Sequence, residues 1–248
     1  MGADTKKIYF ASDFHLGAPN YEESLLREKK LLEWLNAIEP DVGELYLLGD
    51  IFDFWFEYKH AIPKGSTRFL GKIAEFSDKG IPVHLFAGNH DMWLFGYLQK
   101  ETGMIYHKGS LTVELKGKKF FLAHGDGLGP GDKKYKLLKK LFRNRIAQWL
   151  FARLHPNLGI AIARKWSCSS RIANGEPPKF QGEEKELLVH YVKELAKTAR
   201  YDYYIFGHRH TPIDLKINEN IRYINLGDWI THFTYGVFDG TDFKLKSW

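Results

Sequence analysis

Five short polar signatures stand along the chain: Asp13-Phe14-His15, Gly49-Asp50-Ile51-Phe52-Asp53, Gly88-Asn89-His90-Asp91, His124-Gly125-Asp126 and Gly207-His208-Arg209-His210. Each offers carboxylate, amide or imidazole donors, and each comes where an apolar run stops. Hard and borderline donors of these kinds suit divalent cations, and the lack of cysteine among them argues against a structural zinc site. Two divalent cations about 4 Å apart would polarise a phosphoryl group and lower the pKa of a water molecule. Hydrolysis of a phosphoester or phosphoanhydride is therefore the chemistry to expect.

Such chemistry needs donors held at fixed places, and the flanking segments show how. Residues 7–12, 44–48, 82–87, 118–123 and 202–206 are short, rich in Ile, Val, Leu, Phe and Tyr, and run into glycine or a donor residue. Uninterrupted apolar runs of this length read as buried strands. Helical patterns lie between them. Residues 22–38 place Leu25, Leu26, Leu32 and Leu35 on one face, and residues 69–79 are stopped by Gly80 and Pro82. Residues 183–199 bring Leu187, Leu188, Tyr191, Val192 and Leu195 into register. The alternation predicts an α/β layered fold, in which ligands gather beyond the carboxyl ends of strands, where all five signatures fall. Residues 222–248 read as further strands, separated by Gly227-Asp228 and Asp239-Gly240, and predict a late all-β component with a second sheet packed on the first.

The 248 residues suffice for one sizeable core, and 44% hydrophobic with 27% charged residues is ordinary for a soluble globular chain. One layered domain is expected, formed by residues 1–131 and 181–248, with residues 132–180 as a helical insertion. In the insertion, Leu137, Leu138, Leu141, Phe142, Ile146, Trp149 and Leu150 form one stripe among Lys136, Lys139, Lys140, Arg143 and Arg145. A second amphipathic helix should start at Pro156. Between residues 132 and 179, twelve Lys or Arg face only Asp132 and Glu176, so the formal charge of +6 is concentrated here and the remainder is slightly acidic. A stripe of this kind can rest on an anionic membrane or close over the main domain as a lid. Arg143, Arg145, Arg153, Arg164 and Lys165 interrupt every apolar run, which excludes a transmembrane span there. A lone Cys168 excludes an intrachain disulfide framework, and the first twelve residues lack a secretory pattern. Both predict a cytoplasmic chain.

In type and order, the signatures resemble the pattern of the calcineurin-like metallophosphoesterases, D-x-H, GD-x-x-D, GNH[DE], H-GD and GH-x-H, from Asp13 to His210. The resemblance implies a four-layer α/β/β/α sandwich with a helical lid, and two divalent metal ions, Mn²⁺ first, with Fe or Zn²⁺ as alternatives. It implies that Asp13, His15, Asp50 and His210 bind one ion, and Asp50, Asn89, His124 and His208 the other, with Asp50 bridging. His90 would face the substrate as a transition-state stabiliser or proton donor, its ring held by Asp91. Asp53 and Asp126 would orient ligating imidazoles or serve only in turns. His60, His84, His107, His155, His190 and His232, each alone near an apolar run, are expected to be structural.

Within that family, Ser12-Asp13-Phe14-His15-Leu16-Gly17, the run from Gly49 to Trp55 and the basic insertion are similar to the UDP-2,3-diacylglucosamine hydrolases of lipid A biosynthesis. That likeness implies cleavage of the diphosphate of a lipid-linked nucleotide sugar into UMP and 2,3-diacylglucosamine 1-phosphate. The enzyme would rest peripherally on the cytoplasmic face of the inner membrane, with no obligate protein partner. Substrate contacts would come from Asp132, Tyr135, Ser170 and Asn174. Two positions depart from the pattern: His90 stands where those enzymes carry arginine, and Pro177 where they offer a lysine that Lys179 could replace. The alternatives are another metallophosphoesterase, such as a nuclease or nucleotide phosphodiesterase, and a non-catalytic membrane-associated scaffold. Helical rather than planar spacing of the insertion's aromatic residues argues against nucleic acid, and a scaffold has no need of a complete donor set.

Overall fold

The computed structural model describes residues 6–129, 131, 133–174 and 180–248, the side chains of residue 134 and residues 168–174 excepted. Two sheets are stacked face to face. In the first, β1 (Lys7–Ala11), β2 (Val42–Leu47), β3 (Val83–Phe86) and β4 (Ile105–His107) run parallel, and β10 (Thr234–Phe238) and β11 (Phe243–Ser247) extend it antiparallel beyond β1. In the second, β6 (Lys118–Ala123), β7 (Tyr203–Phe206) and β9 (Ile221–Leu226) run parallel between the antiparallel edges β5 (Leu111–Leu115) and β8 (Pro212–Asn218).

Alternation along each strand builds three apolar layers. Phe10 of β1 lies between the sheets, stacked on Tyr46 at 5.3 Å and on Phe120 of the opposite sheet at 5.8 Å. Its neighbours Tyr9 and Ala11 face outward, onto α1 (Tyr21–Ile38) and α2 (Thr67–Asp78), where Trp34, Leu35, Phe69 and Ile73 are fully buried. On the far side, Phe121, Tyr204 and Tyr223 pack on Leu188, Val189 and Val192 of α7 (Leu187–Leu195). Burial of each such ring contributes about 2–3 kcal/mol. The result is helix, sheet, sheet, helix.

The structure differs from the sequence expectation in four places. The face that α1 buries is Leu31, Trp34, Leu35 and Ile38, at i, i+3, i+4 and i+7, while Leu26 is exposed. The strands near the C-terminus do not form a sheet of their own: β9 pairs with β7, whereas β10 returns to β1. The stripe from Leu137 to Leu150 belongs to two helices, α4 (Lys133–Phe142) and α5 (Arg145–Phe151), because the Asn144 side chain accepts from the amides of Ile146 and Ala147 and so starts a new helix. The helix placed over residues 183–199 begins as a 3-10 turn, Glu183–Lys185, before α7. The helix at Pro156 forms as α6 (Pro156–Asn174). A short α3 (Tyr97–Thr102) completes the set.

At the edge of the first sheet, His84 lies flat on Tyr46, with ring centroids 4.3 Å apart, and its Nδ1 is 2.9 Å from Nε2 of His107. Burial, and then the neighbouring His107, push the His84 pKa down from 6.5 to about 4. The folded state thus binds the proton more weakly than the unfolded chain, so stability is fullest above pH 6.5 and is lost as pH falls toward 4. On the order of 1 kcal/mol should disappear between pH 7 and pH 5. Urea midpoints for wild type and His84→Phe at both values test this: the pH sensitivity should shrink in the variant, and an unchanged slope would refute it.

Candidate metal centre

Strands of both sheets point their carboxyl ends at one place. Asp13 and His15 follow β1, Asp50 and Asp53 follow β2, and Asn89, His90 and Asp91 follow β3, while His124 follows β6 and His208 and His210 follow β7. The loops are tight. Asp13, His15, Asp50, His208 and His210 have φ between 44° and 69°, a left-handed conformation that side-chain-bearing residues seldom adopt. The Arg27 guanidinium, buried under the first loop, donates to the carbonyls of Phe14, His15 and Ala18 at 3.2, 2.9 and 3.0 Å and holds that turn.

Three donor groups converge: Asp13, His15 and His210; Asp50, His124 and His208; and His15, Asp53 and His90. Nε2 of His15 and Nε2 of His210 are 3.2 Å apart, and Asp13 Oδ1 is 3.3 Å from the latter. Asp50 Oδ2 is 3.7 Å from His15 Nε2 and 3.3 Å from His124 Nε2, which places it between the first two groups. Asn89 Oδ1 is 3.1 Å from His124 Nε2. Two of the outer ring nitrogens are held: His124 Nδ1 donates to the Leu48 carbonyl at 2.7 Å, and His210 Nδ1 faces Asp228 Oδ2 at 3.3 Å. A carbonyl can only accept, so His124 turns an unprotonated Nε2 inward in its neutral form. Inward lone pairs fixed by outer hydrogen bonds, around a shared carboxylate, fit a pair of divalent cations.

Electrostatics points the same way. Burial works against a charge on Asp50, yet the imidazoles of His124 and His90 hold its carboxyl well below the usual range. Burial likewise opposes charge on His124, and the Asp50 carboxylate overrides it, raising the ring to about 10. Burial and the nearby His124 push His208 down to about 4. Asp50 is thus held as an anion and His208 as a neutral donor, the states in which each binds a cation.

Not every sequence expectation is met. Asp91 makes no hydrogen bond or ion pair with the His90 ring. It is fully buried and accepts from the amides of Gly88, Asp50, Ile51 and Phe52, at 2.8, 3.3, 2.7 and 3.3 Å, so it fastens the second and third loops together. Burial and Asp50 lift its pKa to about 6. The His90 ring is instead held through Nδ1, which donates to the Asp53 carbonyl at 2.8 Å. Asp126 takes the Tyr135 hydroxyl and the Lys139 ammonium, tying α4 to the loop of His124. Tyr135 therefore commits its hydroxyl within the protein while its side chain lines a cavity beside His90 and Asn89. Asp132, Pro177 and Lys179 lie outside the described residues, and Ser170 and Asn174 are placed only as positions on the last turns of α6.

Sequence reasoning missed Arg27, Asp228 and Ser167. Asp228 stands behind His210 and also accepts from the amides of Ile230, Thr231 and His232. Its pKa is near 2, because His210 and two of these amides outweigh the effect of burial. A glycine-aspartate pair after a strand, as at Gly49-Asp50, was the signal available for it.

Residues 6–212 match the family model described as calcineurin-like phosphoesterase. The UDP-2,3-diacylglucosamine hydrolase of Porphyromonas gingivalis is 43% identical, over 97% of this chain and 97% of its own length. The enzyme of the same name from Shewanella halifaxensis is 28% identical over 90% of each chain. Among solved structures, the phosphoesterase Yfce from E. coli aligns with 97% of this chain and 92% of its own, at 18% identity and a TM-score of 0.48. A family match across most of the chain, together with a relative this similar over nearly its full length, means that the chain belongs to the calcineurin-like phosphoesterase family.

Proposed function

We propose that the chain is a metal-dependent hydrolase that cleaves the diphosphate of UDP-2,3-diacylglucosamine, giving UMP and 2,3-diacylglucosamine 1-phosphate. The observation that carries this reading is an apolar groove of about 440 Å³ that leads away from the metal centre. It shares Phe54, Trp93, Phe142 and Trp166 with the smaller cavity lined by Asn89 and His90. A water-soluble phosphodiester has no use for such a groove, whereas acyl chains do. The similarity to the Porphyromonas gingivalis enzyme supports the same substrate.

In this reading residues 132–180 are a lid. Phe151 of α5 packs on Phe54, Phe56 and Trp93 of the core, and Trp93 Nε1 donates to the Phe142 carbonyl at 2.9 Å. Asp13, His15, Asp50 and His210 would hold one divalent ion, and Asp50, Asn89, His124 and His208 the other. Oxygen and imidazole donors without thiolate favour Mn²⁺, with Fe or Zn²⁺ as alternatives. When bound, the ions draw charge from phosphoryl oxygens and acidify water. His90, its Nδ1 proton on Asp53, presents Nε2 toward the substrate side, 4.0 Å from Asp50 Oδ2. From there Nε2 is aimed at the phosphoryl group, the place that falls to arginine in the hydrolases this chain resembles. Release of UMP from UDP-2,3-diacylglucosamine by Mn²⁺-loaded protein, with bis(p-nitrophenyl) phosphate in parallel, tests the proposal. Cleavage of the artificial diester alone would overturn the substrate and leave the chemistry.

No helix among the described residues is long and apolar enough to cross a membrane. Leu137, Ile146 and Trp149 are 70%, 69% and 55% exposed and do not line the groove, and the Arg153 guanidinium sits over the Trp149 ring at 4.7 Å. We assign this face to peripheral contact with an anionic bilayer on the cytoplasmic side. Lys136 and Lys139 point elsewhere, to the Gly129 carbonyl and to Asp126. Replacing Ile146 by Ser and Trp149 by Ala should weaken sedimentation with phosphatidylglycerol vesicles about tenfold or more, while leaving turnover of a soluble diester within about twofold. Unchanged vesicle binding would remove the membrane contact.

A further inference from the structure

One hydroxyl from α6 reaches the catalytic loops. Ser167 is buried, 7% exposed, on the helix turn that also carries Ala163 and Trp166, two walls of the apolar groove. Its Oγ donates to Asp53 Oδ1 at 2.9 Å and lies 3.3 Å from His90 Nδ1. Asp53 in turn grips His90 through its main chain, Nδ1 to carbonyl at 2.8 Å, and faces His15 Nδ1 with Oδ1 at 3.6 Å. Ser167 therefore closes a three-membered polar ring whose other members both belong to the metal-centre loops.

We propose that Ser167 is a positioning residue for His90, so that the lid helix which walls the groove also fixes the direction of the imidazole facing the substrate. The inference rests on the role given to His90 above. The Asp53 carbonyl alone leaves the ring free to swing about one hydrogen bond. The Ser167 oxygen accepts a second, longer share of the same Nδ1 proton, while the Ser167 proton goes to a carboxylate that can only accept. Both contacts favour the tautomer with Nδ1 protonated and Nε2 turned toward the centre. Because Trp166 and Ser167 are adjacent on one helix, whatever seats the groove wall also seats the hydroxyl.

The test combines kinetics with a spectroscopic reading. Ser167→Ala should lower kcat about tenfold with KM within about twofold, the usual scale for losing a partner that orients a reacting group. Ser167→Thr, which keeps the hydroxyl, should recover most of the loss. In a His90→Ala background, Ser167→Ala should cost less than about twofold further. Side-chain ¹⁵N spectra of the metal-free full chain should show His90 predominantly as the Nδ1-protonated tautomer in wild type and Ser167→Thr, and as a mixture in Ser167→Ala. An unaltered tautomer ratio in Ser167→Ala, or the same kcat loss with and without His90, would overturn the proposal. The spectra need no substrate, so they stand even if UDP-2,3-diacylglucosamine proves not to be the substrate, and bis(p-nitrophenyl) phosphate then serves for the kinetics.

Discussion

Asp50→Ala should reduce kcat/KM by at least about 10³-fold, and metal analysis should show that the variant retains fewer than two ions per chain. Its Oδ2 stands 3.7 Å from His15 Nε2 and 3.3 Å from His124 Nε2, within reach of both donor groups. Oδ1 accepts the His90 amide at 2.9 Å, so the same side chain also places the residue that faces the substrate. Removing it takes away the anion that raises His124 and leaves several buried imidazoles with less to balance a cation. The fold should survive, because the second and third loops remain joined by Asp91 accepting from Gly88, Ile51 and Phe52. A folded, inactive, metal-poor variant is the expected outcome. Turnover like that of wild type would show that the two groups do not act through a shared ligand.

A second substitution should damage both fold and centre. A Cβ at Gly88 would lie 2.1 Å from Asp50 Oδ1 and 2.3 Å from the Asp50 amide nitrogen. The second of these is backbone and cannot swing away. Gly88→Ala should therefore cost about 3 kcal/mol or more in urea unfolding, with loss of metal. Gly71 supplies the control: it sits in the middle of α2, where an added methyl would meet nothing within 4 Å, and alanine there should stabilise by about 0.5–1 kcal/mol. Equal effects at the two positions would mean that helix propensity, and not close approach, sets the response.

The centre was legible in the sequence because metal-binding loops keep their donors within a few residues of a strand end, where an apolar run makes them conspicuous. Asp13, His15, Asp50, Asn89, His124, His208 and His210 all come together in space. What lay further off in sequence was not legible. Nothing near Ser167 announces that its hydroxyl will meet a carboxylate 114 positions earlier. Arg27 reads as one more charge on an amphipathic helix, since its purpose is to satisfy carbonyls that only a left-handed turn exposes. Asp91 misleads because adjacency to His90 suggests contact, whereas a turn points neighbouring side chains apart. The division of the strands between sheets is also hidden, since strand order depends on which layer each helix crosses, and apolar periodicity carries no record of that.

The left-handed residues at the centre set two selective pressures against each other. Asp13, His15, Asp50, His208 and His210 hold conformations that glycine would adopt without strain, at a cost of about 1 kcal/mol or more each. Glycine at any of them relaxes the chain and deletes a donor. Backbone strain alone would favour glycine at these five places, so the presence of five donor-bearing residues there is itself a trace of selection for catalysis.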